Sequence, residues 1–583
     1  MLPLVIGIWS IPGEAGWSDD VAIVRDLGFV PVGSEGVLST LLTQLAALVP
    51  LGGRLLRANL LGVIALSLCS RLLFASIRDL LERQAPSRLA PFLALLASQL
   101  WALGPAVQSE AARVGGAAVP LALILIGTRL ASELGDARAA PVAGLLLGVA
   151  AAESHTAGLI LALVFLLPGV DGRRSPSPSG SLRFGAALVA SSALCASVHW
   201  LRALSPAAWA QLGMTVPEGV DVSAEVVAIE GVADFARQAA EPFRAGLGVV
   251  PLLLSLAGLA WALQAGTPLR RALLPWALFA GSGVLVPFAR AAGLSAGAGL
   301  LSLLSGLGCA AFFPLALSAL VRWLWSCPLP FARPAGVLSV TFAATLVVSR
   351  ADQTVAFEGA PIAGAELWTE EALGKLPLGS LALVRSPALA FRLMSARVLQ
   401  GTRPDVVIVP AALLSSGSVT AQLVQADPSL SPLLRQLWVN GFADEYALSR
   451  LADARPVFVE LDPNWEARVL EHLRPDAMWL GFSSHALGAS DRHAGVERSR
   501  AALRRVLEPL EAEGSVDAGT RKVLARIGAQ QALAMAALGD RDASRRLLRV
   551  VRHLDPRDPL ARELVMRLGQ PRRGRVAVND LVR

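Results

Sequence analysis

Two adjacent carboxylates, Asp19 and Asp20, lie in a polar stretch between apolar segments near the start of the chain, with Glu14 shortly before them. A carboxylate beside a membrane can take the proton from an acceptor hydroxyl as that hydroxyl attacks a sugar carbon, or it can hold a divalent metal against a donor phosphate. A solvated loop acid is an equally good interpretation of each residue. If the chain performs chemistry, we expect Asp19 or Asp20 to act as the base or as a metal ligand.

Four further residues have side chains suited to an anionic or hydroxyl-rich substrate. Arg57 and Asn59 begin a long apolar segment, where Arg57 can pair with a phosphate or anchor a helix at the membrane interface. Glu110 lies where two apolar segments meet, and ionisable groups inside membranes are often functional. His155 interrupts another apolar run, where a structural hydrogen bond is the more common role. The six histidines show no metal-ligand spacing, so the sequence identifies no particular metal.

The composition is that of a membrane protein with several spans. Of the 583 residues, 54% are hydrophobic and 17% are charged, and the mean hydropathy is +0.55, which is far more apolar than an average soluble chain. The isoelectric point of about 10.1 comes from scattered Arg residues rather than a basic stripe with interleaved aromatics, which argues against nucleic acid as a partner. The four Cys lack CxxC spacing and indicate neither a disulfide framework nor a zinc site.

Apolar runs long enough to cross a bilayer follow one another through the first 350 residues. The run at 140–170 is interrupted by Glu153 to Thr156, and we interpret it as two crossings, because only then do the Arg-rich short loops stay in the cytoplasm. Residues 1–11 are too short for a span, and we interpret them as the rest of a first span that a wrongly assigned start codon has shortened. The other predicted spans are 57–76, 89–106, 111–131, 184–203, 245–265, 272–290, 297–320 and 335–350.

The region after residue 350 has the pattern of a soluble, outward-facing part. Short runs rich in Val, Ile and Leu alternate with helical patterns over 351–490, which predicts an α/β domain. Over 491–570 the pattern is purely helical, and Ala529–Leu538 with Ala543–Arg552 resembles one tetratricopeptide helix pair, a surface suited to a protein partner. Residues 571–583 form a basic tail.

Several stretches together resemble the DUF2723 family (domain of unknown function 2723), multi-span bacterial membrane proteins related to protein O-mannosyltransferases with the GT-C fold. The resemblance implies transfer of a sugar from a polyprenyl-phosphate donor to a protein or envelope acceptor on the periplasmic face of the inner membrane. The family's first loop usually reads Gly-Asp-Ser-Gly-Glu, where this chain has Gly16-Trp17-Ser18-Asp19-Asp20. The similar stretches are Asp26-Leu-Gly-Phe-Val-Pro-Val-Gly, Leu48-Val-Pro-Leu-Gly, Arg57-Ala-Asn-Leu-Leu, Trp101 with Glu110, Gly148–Thr156, Leu376-Pro-Leu-Gly-Ser and Val398–Pro410.

The sequence therefore predicts an α-helical polytopic membrane protein, GT-C-like over 1–350, with about 11 transmembrane helices and outer loops at 12–56 and 204–244. The leading function is glycosyl transfer, with the lipid-linked sugar, membrane lipids and a protein bound by the C-terminal helices as partners. The alternative is a catalytically degenerate membrane scaffold or lipid-sugar-binding protein with a partner-binding tail. A transporter is a third interpretation, although the sequence shows no convincing internal repeat.

Overall fold

The computed structural model is mostly helical and divides into two compact units. Unit 1 comprises residues 1–13, 34–204 and 223–358, and unit 2 comprises residues 14–33, 205–222 and 359–583. The segment 14–33, which carries the candidate acids, thus belongs with the C-terminal region. The structure describes residues 2–9, 17, 20, 23–24, 36–47, 49, 53–84, 89–131, 139–166, 183–191, 232–264, 267–291, 295–328, 331–356, 360–414, 417–512, 514, 516–569 and 578.

Unit 1 is helical throughout its described residues. Its longest helices contain many Leu, Ala and Val and few charges, so their side chains can face apolar surroundings on every side. The helices are Leu2–Trp9, Val37–Ala47, Arg54–Gln84, Ala90–Ala102, Pro105–Ala111, Ala118–Ala131, Ala139–Glu153, His155–Leu166, 183–191, Val232–Leu247, Val249–Gln264, Thr267–Gly281, the 3₁₀ turn Ser282–Leu285, Val286–Ala291, Ser295–Ser326 and Ala332–Ala356.

Four helices in the described part of the chain are long and apolar enough to cross a membrane, or five if one bent helix pair counts as a span. This corrects the expected number of about 11. The run at 140–170 does form two helices, but they have 15 and 12 residues, which is roughly 22 and 18 Å of helix against a hydrocarbon thickness of about 30 Å. The predicted span at 184–203 lies largely outside the described residues. The four spans are Leu55–Arg83, Ala272–Arg290, Gly297–Ser326 and Ala332–Gln353.

The helix Ser295–Ser326 lies at the centre of unit 1. Its most apolar 18-residue window is 94% buried inside the protein. Glycines allow neighbouring backbones to approach it closely, because a Cβ at Gly258 would lie 2.1 Å from the carbonyl oxygen of Phe312, and one at Gly308 2.2 Å from the nitrogen of Ala280. Small residues at helix crossings provide the close packing that stabilises helices within a bilayer.

A sharp bend separates the helices Ala90–Ala102 and Pro105–Ala111, whose axes differ by 66°. Gly104 is extended (φ −64°, ψ 134°) and Pro105 is the first residue of the second helix. Proline lacks an N–H and pushes the preceding residue out of the helical region, so the sequence Gly-Pro sets the break. The bend places the short helix with Glu110 at an angle to the apolar helix before it.

The core of unit 2 is a sheet of five described strands: β1 (Leu381–Val384), β2 (Val407–Pro410), β3 (Val457–Val459), β4 (Leu473–Asp476) and β5 (Trp479–Phe482). Their order in the sheet is β2-β1-β3-β5-β4. β2, β1 and β3 are parallel, and β5 and β4 continue the sheet with antiparallel pairing. The parallel strands are almost wholly buried, as expected when helices cover both faces.

The C-terminal helices share one hydrophobic core with this sheet. Gln531 on Ala518–Ala537 donates from Nε2 to the carbonyl oxygens of Ala477 and Trp479, both at 3.0 Å. At Gly539 (φ +85°) the chain turns into the next helix, which Asp540 caps through the N–H of Ala543. The expected helix pair is therefore present and is joined to the sheet rather than set apart from it.

The helical segments of unit 2 precede, connect or follow the strands. The 571–583 tail lies outside the described residues apart from Val578. The segments are Ala360–Thr369, the π-helical Glu370–Gly374, Pro387–Gln400, Ala411–Leu413, Gly417–Ala426, Pro428–Leu430, Ser431–Asn440, Glu445–Ala452, Ala467–Glu471, Ala489–Ala512, Ala518–Ala537, Arg541–Leu554 and Pro559–Gly569.

An ion pair braces the turns before β1 and β2. The Arg403 guanidinium pairs with Asp405 and donates to the carbonyl oxygen of Leu376 at 2.6 Å. Asp405 also accepts the N–H of Gly379 at 3.0 Å. The hydrogen bond from Arg403, followed by that from Gly379, holds the pKa of the Asp405 carboxyl well below its usual value.

Acid should therefore weaken this part of unit 2 through Asp405. A carboxyl whose pKa is lower in the folded than in the unfolded state contributes its full stabilisation above the unfolded pKa of about 3.9, and this contribution is lost as the pH falls through the lower, folded pKa. We expect Asp405→Asn to lower the midpoint of thermal unfolding at pH 7, and the difference from the parent to shrink as the pH falls from about 4 through the folded pKa of Asp405. The exposed Asp453, changed to Asn, is the control; an Asp405→Asn deficit that persisted unchanged in acid would contradict the assignment.

Candidate functional site

Asp20 is buried in unit 2. Its Oδ1 accepts a hydrogen bond from Nη1 of Arg392 at 3.2 Å and another from the hydroxyl of Ser395, and the side chains of the ion pair are only 3% and 4% exposed. Nε of Arg392 in turn donates to Thr369 Oγ1 at 2.7 Å. The helix Pro387–Gln400 presents both Arg392 and Ser395, one turn apart, to this carboxylate. The role that the geometry gives to Asp20 is that of an internal anchor.

Trp17 reinforces this anchor from the same segment. Its indole N–H donates to Thr520 Oγ1 at 2.9 Å, and its ring lies 5.3 Å from that of Trp368 at 55°. The Arg392 guanidinium carbon lies 6.0 Å from the Trp17 ring centre, a cation–π distance. Trp17 and Asp20 thus fasten the N-terminal segment onto unit 2. Asp19 and Glu14, the other candidate acids, lie outside the described residues.

Glu110 lies at the end of the bent helix pair in unit 1. Its Oε2 pairs with Nη1 of Arg113 at 3.0 Å, and its Oε1 accepts the N–H of Ala117 at 3.3 Å. A Cβ at Gly299, on the central helix, would lie 2.9 Å from Oε1, so the Glu110 carboxylate packs closely against the backbone of that helix. The Glu110 side chain is 18% exposed and that of Arg113 35%. A carboxylate and a guanidinium are thereby held side by side at the rim of the helical bundle.

Arg57 and Asn59 begin the helix Arg54–Gln84 but have different surroundings. Arg57 donates from Nη1 to the carbonyl oxygen of Val49 at 2.6 Å, in an exposed position that closes the turn before the helix. Asn59 is 2% exposed, and its Oδ1 has no hydrogen-bond partner among the described residues. The same helix touches the short helix of Glu110, where Gly62 meets the carbonyl oxygen of Ala111. The structure therefore brings the helices of Asn59 and Glu110 together.

His155 is exposed, whereas the neighbouring Glu153 is buried. The Glu153 carboxylate accepts the N–H groups of Leu38 and Ser39 at 2.8 and 3.0 Å and the Ser39 hydroxyl. It thus caps the first turn of Val37–Ala47, whose N–H groups lack partners inside the helix. The acid in the middle of the apolar run therefore has a defined structural role.

One acidic cluster in unit 2 was not foreseen. β1 and β3 are neighbouring parallel strands, and the chain continues from them towards opposite edges of the sheet. Such an arrangement forms a crevice at the carboxyl ends of the two strands. Glu460, just after β3, accepts the N–H of Arg385 at 2.6 Å and that of Ser386, and Arg385 pairs with Asp462. Burial raises the pKa of Glu460, while these N–H groups act in the opposite direction.

The Glu460 carboxylate lies at the N-terminus of the helix Pro387–Gln400, which is the end of a helix where anionic ligands bind. The protein's own carboxylate therefore fills this position in the crevice. The sequence carried one signal for this cluster, an acid directly after the strand Val457–Val459. The pattern of apolar residues predicts which residues belong to a strand, but it gives no role to the residue that follows the strand.

A divalent metal is one expectation for a lipid-phosphate-dependent transferase. The described part of the chain contains no group of three or more His, Cys, Asp or Glu side chains that could hold a metal ion. We therefore derive no step through a metal.

A scan against known protein families finds no family model that matches this chain, and a search of curated proteins finds no match either.

Proposed function

We propose that the protein binds a polyprenyl-phosphate-linked sugar at Glu110 and Arg113 and transfers the sugar to a protein or envelope acceptor. The observation that carries this proposal is the carboxylate–guanidinium pair at the end of the bent helix pair, beside the central helix. Ionisable side chains are rare within apolar bundles, and they are retained where they contact a substrate or an ion. The resemblance to the DUF2723 family and its GT-C fold supports the same reaction.

In the proposed reaction the Arg113 guanidinium binds the donor phosphate through charge-assisted hydrogen bonds. The acceptor hydroxyl attacks the anomeric carbon of the sugar, the bond from that carbon to the phosphate oxygen breaks, and the polyprenyl phosphate leaves. A carboxylate takes the hydroxyl proton. We assign this role to Glu110, with Asp19 as the other candidate. Asp20 would contribute by positioning Asp19, because it holds the segment that carries Asp19.

The expected location is the bacterial inner membrane, with Glu110, the loop 12–56 and unit 2 on the periplasmic side. This orientation follows from the Arg-rich loops that the positive-inside rule assigns to the cytoplasm. Arg57, Asn59 and His155 belong to the same proposal as substrate-binding residues.

A specific observation favours the alternative of a non-catalytic lipid-sugar-binding scaffold. The one described acid of the first loop is engaged in a buried ion pair, where it cannot reach a substrate. The C-terminal helices would then bind a protein partner, while the membrane unit holds the lipid.

Binding and transfer should separate in two variants of the full-length protein in liposomes that contain polyprenyl-phosphate sugar. We expect Arg113→Gln to weaken donor binding by about 10- to 100-fold, the loss of one or two hydrogen bonds to a charged group. We expect Glu110→Gln to keep donor binding within about threefold and to lower the transfer rate by about 10²- to 10⁴-fold. Radiolabelled donor measures both quantities.

Arg290→Gln provides the matched control, because Arg290 also pairs with an acid, Glu241, at 2.7 Å in unit 1. It should change neither quantity by more than about twofold. Donor binding without transfer by the parent protein would establish the scaffold instead. Parent-like binding by Arg113→Gln would overturn the site.

A further inference from the structure

Two candidate membrane spans of unit 1 are joined by a short turn that carries two Arg and several aromatic residues. The spans are Gly297–Ser326 and Ala332–Gln353, and we call residues 322–333 the hairpin turn. Within it, residues 329 and 330 lie outside the described part of the chain. Because a span crosses the apolar layer of a membrane, the turn that follows it lies at the polar boundary of that layer.

The hairpin turn carries its two cations in a stretch of chain without acids. Arg322 and Arg333 are both exposed, and Nε of Arg322 donates to the carbonyl oxygen of Ser318 at 3.3 Å. Between Glu241 and Asp352 the sequence contains seven Arg and no Asp or Glu. The sequence around the turn therefore supplies positive charge only.

The two acids that flank this stretch lie away from the hairpin turn. Glu241 pairs with Arg290 at 2.7 Å, beside the start of the central helix, which is the end opposite to the turn. Asp352 lies about 28 Å from Arg333 along the helix Ala332–Ala356, at 1.5 Å per residue. Neither carboxylate can neutralise the turn at such a distance, because exposed charges are screened within about 10 Å.

The helices that contact the central helix do not reverse this charge. On Arg54–Gln84, Asp79 pairs with Arg129 at 2.5 Å, and Glu82 lies 3.5 Å from Arg78. These acids are thus opposed by arginines outside the hairpin turn. Three other helices that contact the central helix contain no Asp or Glu: Ala90–Ala102, Val249–Gln264 and Thr267–Gly281.

Three aromatic side chains flank the two cations. Trp323, Trp325 and Phe331 are 64%, 46% and 63% exposed. A Cβ at Gly336 would lie 2.6 Å from Nε1 of Trp325, so this indole packs on the backbone of the following helix and joins the two helices of the hairpin. Trp is enriched at the boundary between membrane and water, where its ring contacts lipid and its N–H faces the polar headgroups. The aromatic residues therefore favour lipid as the molecule that covers the turn.

We propose that the hairpin turn binds the headgroups of anionic phospholipids, with Arg322 and Arg333 on the phosphate oxygens. A lipid is the expected ligand rather than a free anion, because Val337 and Leu338, about one turn beyond Arg333, are 59% and 66% exposed and can contact the acyl chains. The sequence predicts that this end of the spans lies in the cytoplasm, where the membrane surface carries anionic lipids. This binding is independent of sugar transfer.

The test measures which lipid lies beside Cys327, which belongs to the hairpin turn, whereas Cys69 and Cys309 are buried. The full-length protein with Cys195→Ala is labelled at Cys327 with a thiol-reactive fluorophore and placed in liposomes. Phosphatidylglycerol or phosphatidylcholine with a nitroxide high on the acyl chain then quenches the fluorophore, and the ratio of the two quenching constants gives the lipid preference. We expect a ratio of at least about 5 for the parent, because one cation near an anionic surface already favours it about fivefold.

The double variant Arg322→Gln with Arg333→Gln should lower this ratio at least about fivefold. Replacing both residues by Lys should keep it within about twofold of the parent, since the attraction depends on charge near the surface. Arg333→Gln alone should lower the ratio at least about twofold, which keeps the test decisive if the double variant does not fold.

Arg290→Gln is the matched control, because Arg290 also ends a candidate span but lies at the opposite boundary. It should leave the ratio unchanged. Equal quenching by the two lipids in the parent, or equal losses in Arg290→Gln and in the double variant, would overturn the proposal. Sodium phosphate should lower the ratio no more than sodium chloride of equal ionic strength, and a larger effect of phosphate would overturn the lipid as the ligand.

Discussion

Replacing Arg392 by Met should lower the free energy of unfolding of the region 359–583 by about 3–5 kcal/mol, because it leaves the Asp20 carboxylate buried without its charge partner. The two side chains are 4% and 3% exposed, so water cannot replace the lost contact without opening the core. The hydrogen bond to Thr369 and the contact with the Trp17 ring disappear as well. Pulse proteolysis of the full-length protein over a urea series would measure the loss.

A double-mutant cycle separates the ion pair from the packing. Asp20→Asn removes the buried charge while keeping the shape of the side chain, so adding it to Arg392→Met should restore part of the stability. We expect the double variant to be less destabilised than the sum of the two single variants by at least about 1 kcal/mol.

The control is Arg567→Met, which breaks the surface pair of Arg567 with Glu563 on the last helix of unit 2. Its cost should stay near 0.3–0.5 kcal/mol, roughly the value for exposed pairs one turn apart. A comparable small cost for Arg392→Met would show that Asp20 does not anchor the segment. Trp17 would then have to hold the segment alone.

Replacing Glu153 by Ala should destabilise unit 1 by at least about 2 kcal/mol, because a hydrogen bond to a charged group contributes about 1.5–3 kcal/mol and three donors lose this acceptor together. The N–H groups of Leu38 and Ser39 begin a helix and cannot find partners within it. Titration of the folded protein with sodium dodecyl sulfate in mixed micelles gives the free energy.

Glu153→Gln should fall between the parent and the Ala variant, since an amide oxygen still accepts from one N–H but carries no charge towards the helix start. The matched control is Glu82→Ala, which removes a 49% exposed acid that lies 3.5 Å from Arg78. We expect less than about 1 kcal/mol from it. Equal losses in Glu82→Ala and Glu153→Ala would contradict the capping role.

These two carboxylates bear on function, because each adjoins a residue that the sequence singles out. Asp20 holds the segment next to Asp19, and Glu153 precedes His155. In both cases the acid accepts hydrogen bonds from the protein's own donors. Among the described residues, the Glu110–Arg113 pair therefore remains the candidate for binding substrate. Activity changes in Asp20→Asn should therefore follow the stability of unit 2 rather than report proton transfer.

The sequence by itself determined the features that depend on local composition. The apolar segments, the division of 140–170 at Ser154 and the Gly539 turn all follow from hydropathy and backbone preference. The break at Gly104 was not predicted, because it falls inside the predicted span 89–106. The number of spans did not follow, because a hydropathy window marks an apolar stretch but not the helix length that its neighbours allow. Several of these stretches became helices of 10–17 residues packed in a bundle.

Tertiary structure alone decided what the charged groups do. Asp20 and Arg392 are 372 positions apart, and Glu153 lies 114 positions from Ser39, so no periodicity relates the partners. A buried charge must find a counterpart wherever the fold supplies one. The acids of the first loop are visible in the sequence, but their use is not. The fold buries Asp20 together with Arg392, and this enclosed ion pair holds the segment of Asp20 on the C-terminal unit.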